Sequence, residues 1–267
     1  MDFLPLTERE MRKRKWDSVD VVLITGDAYV DHPSFGISII GRVLESVGVR
    51  VAILAQPDCR DTRDFLTFGK PNLFFGITSG NVDSMIANYT HNKRRREGDD
   101  YSPGGKSGLR PDRAIIVYAN RVREIYPETP IVIGGIEASL RRFAHYDYWD
   151  DEVRRSIIFD SRADILVYGM GERPVVEIVR RLRDKRPLFG IRGTAVVMKN
   201  EIFEKLKNHD PYLKSGLEIP SFEEVKTDKG KFNEAFQLIY RNQNPITGQT
   251  LIQRHGNRLL VVYPPQF

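Results

Sequence analysis

The chain has 267 residues, with 41 Lys and Arg against 36 Asp and Glu, a net charge of +5, and 40% hydrophobic beside 29% charged residues. That balance belongs to a globular protein rather than a disordered one, and the length suffices for one large α/β domain with an appendage or for two modest domains. A single cysteine, Cys59, excludes an internal disulfide and every multi-cysteine zinc or iron–sulfur motif within these residues, and it points to a cytoplasmic setting.

The start, MDFLPLTEREMRKRKW, lacks the apolar core of a signal peptide, and runs such as AIIVYA are too short for a membrane span. DVVLIT (20–25) is a short apolar run suited to a strand buried on both faces, ended by Gly26. Phe35, Ile39, Ile40, Val43, Leu44 and Val47 then recur at helical spacing, with Pro33 in the first turn and Gly48 as the carboxyl cap. VRVAILA (49–55) completes a β-α-β unit. NLFFGIT is a third strand, and a helix starts after Asn81. The polar insertion HNKRRREGDDYSPGGKSGLRPDR has no apolar period and reads as a solvated loop, or as a lid.

Residues 114–126 read as a helix, TPIVIGG as a fourth strand, ADILVYG (163–169) as a fifth, and 173–185 as a further helix. Five apolar strands alternating with helices predict a doubly wound parallel sheet over residues 1–190. From 191 to 267 the rhythm changes to a small α+β extension, with a strand in GTAVVMK, a helix in FNEAFQLIYRNQ and a hairpin turning at His255-Gly256-Asn257.

In an open α/β sheet ligands bind beyond the carboxyl ends of the strands. The exits of strands one, three, four and five are glycine-rich and carry hydroxyls or carboxylates. Gly26, Asp27, Asp31, His32 and Ser34 follow the first strand, and Thr78 and Ser79 the third. Gly134, Gly135, Glu137 and Ser139 follow the fourth, and Gly169, Gly171 and Glu172 the fifth. Glycine admits a ligand close to the backbone, and the next helix offers free N–H groups; tight turns use the same residues for their own geometry. Taken together, the exits predict a ligand pocket.

Several local patterns carry less. Gly169-Met170-Gly171 lacks the third glycine of a dinucleotide fingerprint, and SPGGKSG lacks both the first glycine and the preceding strand of a phosphate-binding loop. The run Lys93 to Arg96 is answered by Glu97, Asp99 and Asp100, so a solvated loop is preferred to a nucleic-acid surface. HYDYWDDE (145–152) gathers His145, Asp147, Asp150 and Asp151 without octahedral spacing and reads as a packed loop rather than a metal site. Asp31 suits a helix cap, or an acid–base pair with His32.

TGDAYVDHPSFG, IVIGGIEASLRR, YDYWDD, ADILVYGMGERPVVEIVRRL, SFEEVKTDKGKFNEAF and RHGNRLLVVYPP together resemble the amino-terminal part of the YgiQ family of radical SAM proteins, from Phe3 to Pro265. The resemblance implies a flavodoxin- or cobalamin-binding-like Rossmann domain ahead of a radical SAM barrel on the same polypeptide. In that superfamily a Cys-x-x-x-Cys-x-x-Cys motif holds a [4Fe–4S] cluster to which S-adenosylmethionine binds. With Cys59 alone, this chain is expected to be a truncated form or fragment whose parent gene continues beyond Phe267 with that motif. The base-off cobalamin motif is Asp-x-His-x-x-Gly, whereas here Asp31-His32-Pro33-Ser34-Phe35-Gly36 differs in both intervals. The glycine pair 134–135 with Ser139, and Gly171-Glu172, match family turns that would face cobalamin.

The expected function is an accessory domain of a radical SAM enzyme, inactive alone, with a small-molecule ligand such as cobalamin at the strand exits. The alternatives are a cofactor-free docking module and part of a nucleic-acid-modifying enzyme, with no membrane partner.

Overall fold

The computed structural model describes residues 3–266, and the fold is α/β. Two compact units divide the chain, one running to Ala138 with Ser161–Ala163 added, the other comprising Ser139–Asp160 and the chain from Asp164 onward.

In the first unit the elements follow in order: α1 (Glu8–Lys13), β1 (Val21–Thr25), α2 (Gly36–Ser46), β2 (Val51–Ala55), β3 (Phe74–Thr78), α3 (Ser84–Asn88), α4 (Ala114–Ile125), β4 (Ile131–Ile133) and α5 (Gly135–Leu140), whose last two residues belong to the second unit. Helix α1 is set by a capping box, in which Thr7 and Glu10 satisfy each other's backbone N–H. The strands pair in parallel in the order β2-β1-β3-β4. Every residue of β1 and β4 is buried, as are all but the last of β2 and β3, which is why they read as continuous apolar runs instead of alternating ones. Tyr118, Ala119 and Val122 of α4 and Leu44 of α2 complete the core. Helix α2 starts at Gly36 and buries Ile37, Ser38, Gly41 and Leu44. Its inner stripe is thus rotated from the predicted one, because a β-carbon at position 41 would clash with Leu4 and only glycine lets that face approach. Gly48, at φ +73°, ends the helix as expected.

In the second unit β5 (His145–Asp147) and β6 (Glu152–Arg154) form a hairpin, followed by α6 (Ile157–Ser161), whose last residue belongs to the first unit. Then come β7 (Ile165–Val167), α7 (Glu172–Arg183), β8 (Thr194–Lys199), α8 (Asn200–Lys207), α9 (Pro211–Lys214), β9 (Leu217–Ile219), α10 (Phe222–Thr227), α11 (Lys229–Arg241), β10 (Leu251–His255) and β11 (Arg258–Val262). Five of these strands pair in the order β7-β8-β11-β10-β9, antiparallel except for β10 with β9. The β10–β11 hairpin turns at Gly256, φ +59°, where the sequence predicts it. The fifth predicted strand, β7, is laddered antiparallel to β8 through Leu166 and Ala195. The second unit therefore begins near residue 139 instead of 191. Among the described residues no helix is long and apolar enough to cross a membrane.

Candidate functional site: the strand-exit rim

Register places three of the predicted exits on one edge of the first unit. Thr25 pairs with both Ala55 and Thr78, and Ile77 pairs with Ile133, so β1, β3 and β4 end together. Because β2 and β3 flank β1, the connection reverses direction there, which makes the gap beyond β1 and β3 the switch point where such sheets bind ligands.

That gap is filled by the chain itself. Asp27, 1% exposed, takes the backbone N–H of Asn81 at 2.6 Å on one oxygen and lies 2.8 Å from a guanidinium nitrogen of Arg110 with the other. Arg110 also donates to the carbonyl of Ser79 at 2.8 Å and to the Asp99 carboxylate at 3.0 Å. Its side chain is wholly buried. Asp99 receives in addition the N–H of Tyr101 at 3.0 Å and the Ser102 hydroxyl at 2.9 Å. Gln56 donates to the Gly26 carbonyl at 2.8 Å and to Ser102 at 2.6 Å, and the N–H of Ala28 donates to the Tyr101 carbonyl at 2.8 Å. The polar insertion is exposed over residues 91–98, as a solvated loop would be, but Asp99, Ser102 and Arg110 are buried. Its residues 99–110 are stitched to the exits of β1 and β3, since only buried partners can offset the desolvation of these charges.

The two aspartates that share this arginine shift in opposite directions. Burial pushes the Asp27 carboxyl above its usual range, and Arg110 only partly opposes this. Asp99 is buried as well, yet its two extra donors and Arg110 hold it below the ordinary value.

The rim glycines serve the packing. A β-carbon on Gly26 would strike the Ser79 carbonyl, one on Gly80 the Asp27 carboxylate, and one on Gly135 the Thr78 hydroxyl. Thr78 accepts the Gly80 N–H at 3.3 Å, and the Gly134 N–H donates to Ile77 at 2.9 Å. Glu137, fully buried, accepts from the N–H and hydroxyl of Ser84 at 2.9 and 2.5 Å and from the N–H of Ile115 at 3.3 Å. Its carboxylate therefore sits at the first turns of α3 and α4, where free N–H groups favour a negative charge.

The remaining predicted residues are elsewhere. Asp31 does not cap α2. It pairs with Arg42, whose hydrogen bond holds its carboxyl low, and Phe35 occupies the cap position. His32 is exposed, and its Nδ1 accepts the N–H of Ser34 at 3.1 Å. The Ser34 carbonyl accepts from Asn81 at 3.2 Å. Ser139, Gly169, Gly171 and Glu172 belong to the second unit, where Ser139 accepts from Arg142 and Gly171 precedes α7. In HYDYWDDE, Asp147 caps the β5–β6 turn through the N–H of Trp149 at 2.9 Å, and Arg154 pairs with Asp150 at 3.0 Å. In the basic run, Arg95 lies over the Tyr89 ring and Arg96 donates to the carbonyls of Ile86 and Tyr89.

Sequence reasoning missed Arg110, Asp99, Ser102 and Gln56. The available signal was the insertion itself: more than twenty residues inside a crossover that usually takes few.

A four-stranded parallel sheet with a switch-point rim defines the first unit as an α/β module built on an open parallel sheet. A family model described as the radical SAM N-terminal domain matches residues 3–267. The chain belongs to that family. It is 53% identical over 269 residues to a UPF0313 protein of Clostridium botulinum (strain Okra / Type B1), spanning 100% of this chain and 40% of that protein. A UPF0313 protein of Geobacter sulfurreducens is 50% identical over 270 residues, spanning 100% and 43%. The chain thus spans well under half the length of these relatives, which bear the family name of the YgiQ group. Among solved structures, the radical S-adenosylmethionine methyltransferase TsrM from Kitasatospora setae, with tryptophan substrate and a SAM analog bound, is similar at a TM-score of 0.43 and 20% identity, over 66% of this chain and 28% of that one.

Proposed function

We propose that this chain is the N-terminal docking module of a longer radical SAM protein, with its strand-exit rim closed by its own Arg110 and not held open for cobalamin. The burial of Arg110 between Asp27 and Asp99 carries this reading. A cofactor cradle needs free donors and open space beside its glycines. Here the Asn81 N–H and the Arg110 guanidinium are engaged internally, and Gly26, Gly80 and Gly135 face protein atoms. His32, the nearest analogue of a lower cobalt ligand, has its Nδ1 engaged with Ser34. These residues do not fit cobalamin.

The match to the radical SAM N-terminal family, and relatives more than twice as long, support a parent polypeptide. Resemblance assigns to its remainder a barrel holding the [4Fe–4S] cluster and S-adenosylmethionine. This module contributes a rigid folded surface on which that barrel docks. The substrate belongs to the barrel.

Titration of the purified chain with hydroxocobalamin, followed by visible absorbance and gel filtration, tests the closed rim. No spectral change and no co-elution are expected. Stoichiometric retention would overturn the reading. The parent account is tested separately, by whether the open reading frame continues into three cysteines at the family spacing.

A further inference from the structure

The second unit holds a half-buried arginine that no carboxylate pairs with among the described residues. Arg142 follows α5, and its carbonyl is fixed by the Ser156 hydroxyl at 2.7 Å. Its guanidinium lies 4.7 Å from the ring centre of Tyr168 and 5.2 Å from that of Phe143, an aromatic cradle that fixes its plane. One terminal nitrogen donates to the Ser139 carbonyl at 2.5 Å, and Nε is shut from solvent with no hydrogen-bond partner. Among the described residues no carboxylate pairs with it, and burial lowers its pKa with only the Tyr168 phenol opposing. A second cation acts on the same phenol: Arg192, which donates to the carbonyls of Pro245 and Pro265. A partly desolvated cation with a buried Nε and no anion beside it is a costly arrangement in a folded chain.

Arg142 lines a small cleft that is open to solvent on one side. Tyr168, Leu251 and Tyr263 form its apolar wall, and Asn242 and Gln243 from the end of α11 bring amide groups. The Asn242 amide is tied back to Leu238 and its carbonyl to the Gln249 N–H, so that side of the cleft is also fixed in place.

We propose that this cleft is an anion site that takes a carboxylate or phosphate group against Arg142. The group completes the guanidinium's hydrogen bonding, which explains why a cation is retained among aromatic rings. Two sources share this chemistry. One is a free small anion. The other is an acidic side chain from the polypeptide that continues past Pro265, a residue that itself borders the cleft.

The test follows the side-chain Nε–H resonance of Arg142 and the melting temperature of the chain during titration with malonate or inorganic phosphate, against chloride at matched ionic strength. A saturable shift with a concentration-dependent rise in Tm is expected, the response falling by about tenfold or more in Arg142→Gln. Arg142→Lys, which keeps the charge and loses the planar fork, serves where the glutamine variant does not fold, and is expected to bind phosphate weakly. A response no greater than that to chloride, or one equal in the wild type and both variants, would overturn the proposal. Repeating the titration on the full-length protein separates the sources: a retained response identifies a free anion, and its loss there alone identifies an acidic residue of the same chain.

Discussion

The guanidinium of Arg110 lies 2.8 Å from Asp27 and, through its other terminal nitrogen, 3.0 Å from Asp99, so residues 83 and 11 positions away in the chain are joined at one point. Removing the arginine would leave two buried carboxylates facing each other. Arg110→Gln is expected to destabilise the chain by about 3–5 kcal/mol, measured by urea unfolding. A loss below about 1 kcal/mol would mean that water replaces the guanidinium without penalty.

Glu137 should behave as a remote cap for two helices. Glu137→Ala deletes the acceptor for the N–H groups of Ser84 and Ile115 and is expected to cost about 3 kcal/mol. Hydrogen exchange should rise at the first turns of α3 and α4 and stay unchanged in α7. Uniform loosening would contradict the capping role.

His255 should make stability depend on acidity. Its ring stacks on Phe222 at 5.4 Å and lies 4.6 Å from Phe159. Burial, aided by Arg155 and opposed by Asp160, pushes its pKa down to about 4. The folded value lies below the ordinary 6.5, so the unfolded chain binds the proton more readily between the two. The stability from a neutral His255 is complete above pH 6.5 and is lost as pH falls toward 4, by about 3 kcal/mol in all. Melting curves at several pH values should show this slope, and His255→Asn should flatten it.

Glycine substitutions separate the packed rim from an open helix end. Gly80→Ala places a β-carbon on the Asp27 carboxylate at φ +113° and is expected to destabilise by more than about 2 kcal/mol. Gly36→Ala, in the first turn of α2 with nothing within 4 Å, should stabilise by about 0.5–1 kcal/mol. Thermal melts of the two variants should move in opposite directions.

The parts of the fold legible in the sequence are those whose signal is local. β1 to β4 are runs too apolar for any surface, and Gly48 and Gly256 occupy positions that need positive φ. What stayed hidden depends on partners far along the chain. Nothing within ADILVYG tells that β7 will ladder antiparallel to β8, and HYDYWDDE forms a hairpin because Asp147 caps its turn. The rim residues were located in sequence, but their occupant was not, because an arginine in a charged run looks solvated until its aspartates are brought to it.

The segment from Asp99 to Arg110 bears on how this module can be edited. By composition it is the obvious place to trim, graft a tag or tolerate a protease. Yet withdrawing Arg110 would open the floor of the sheet to water, so a nick or deletion there should unlatch the first unit as a whole. Any engineered junction is better placed at the β5–β6 turn, where Tyr148 stands half in solvent and the hairpin closes on itself.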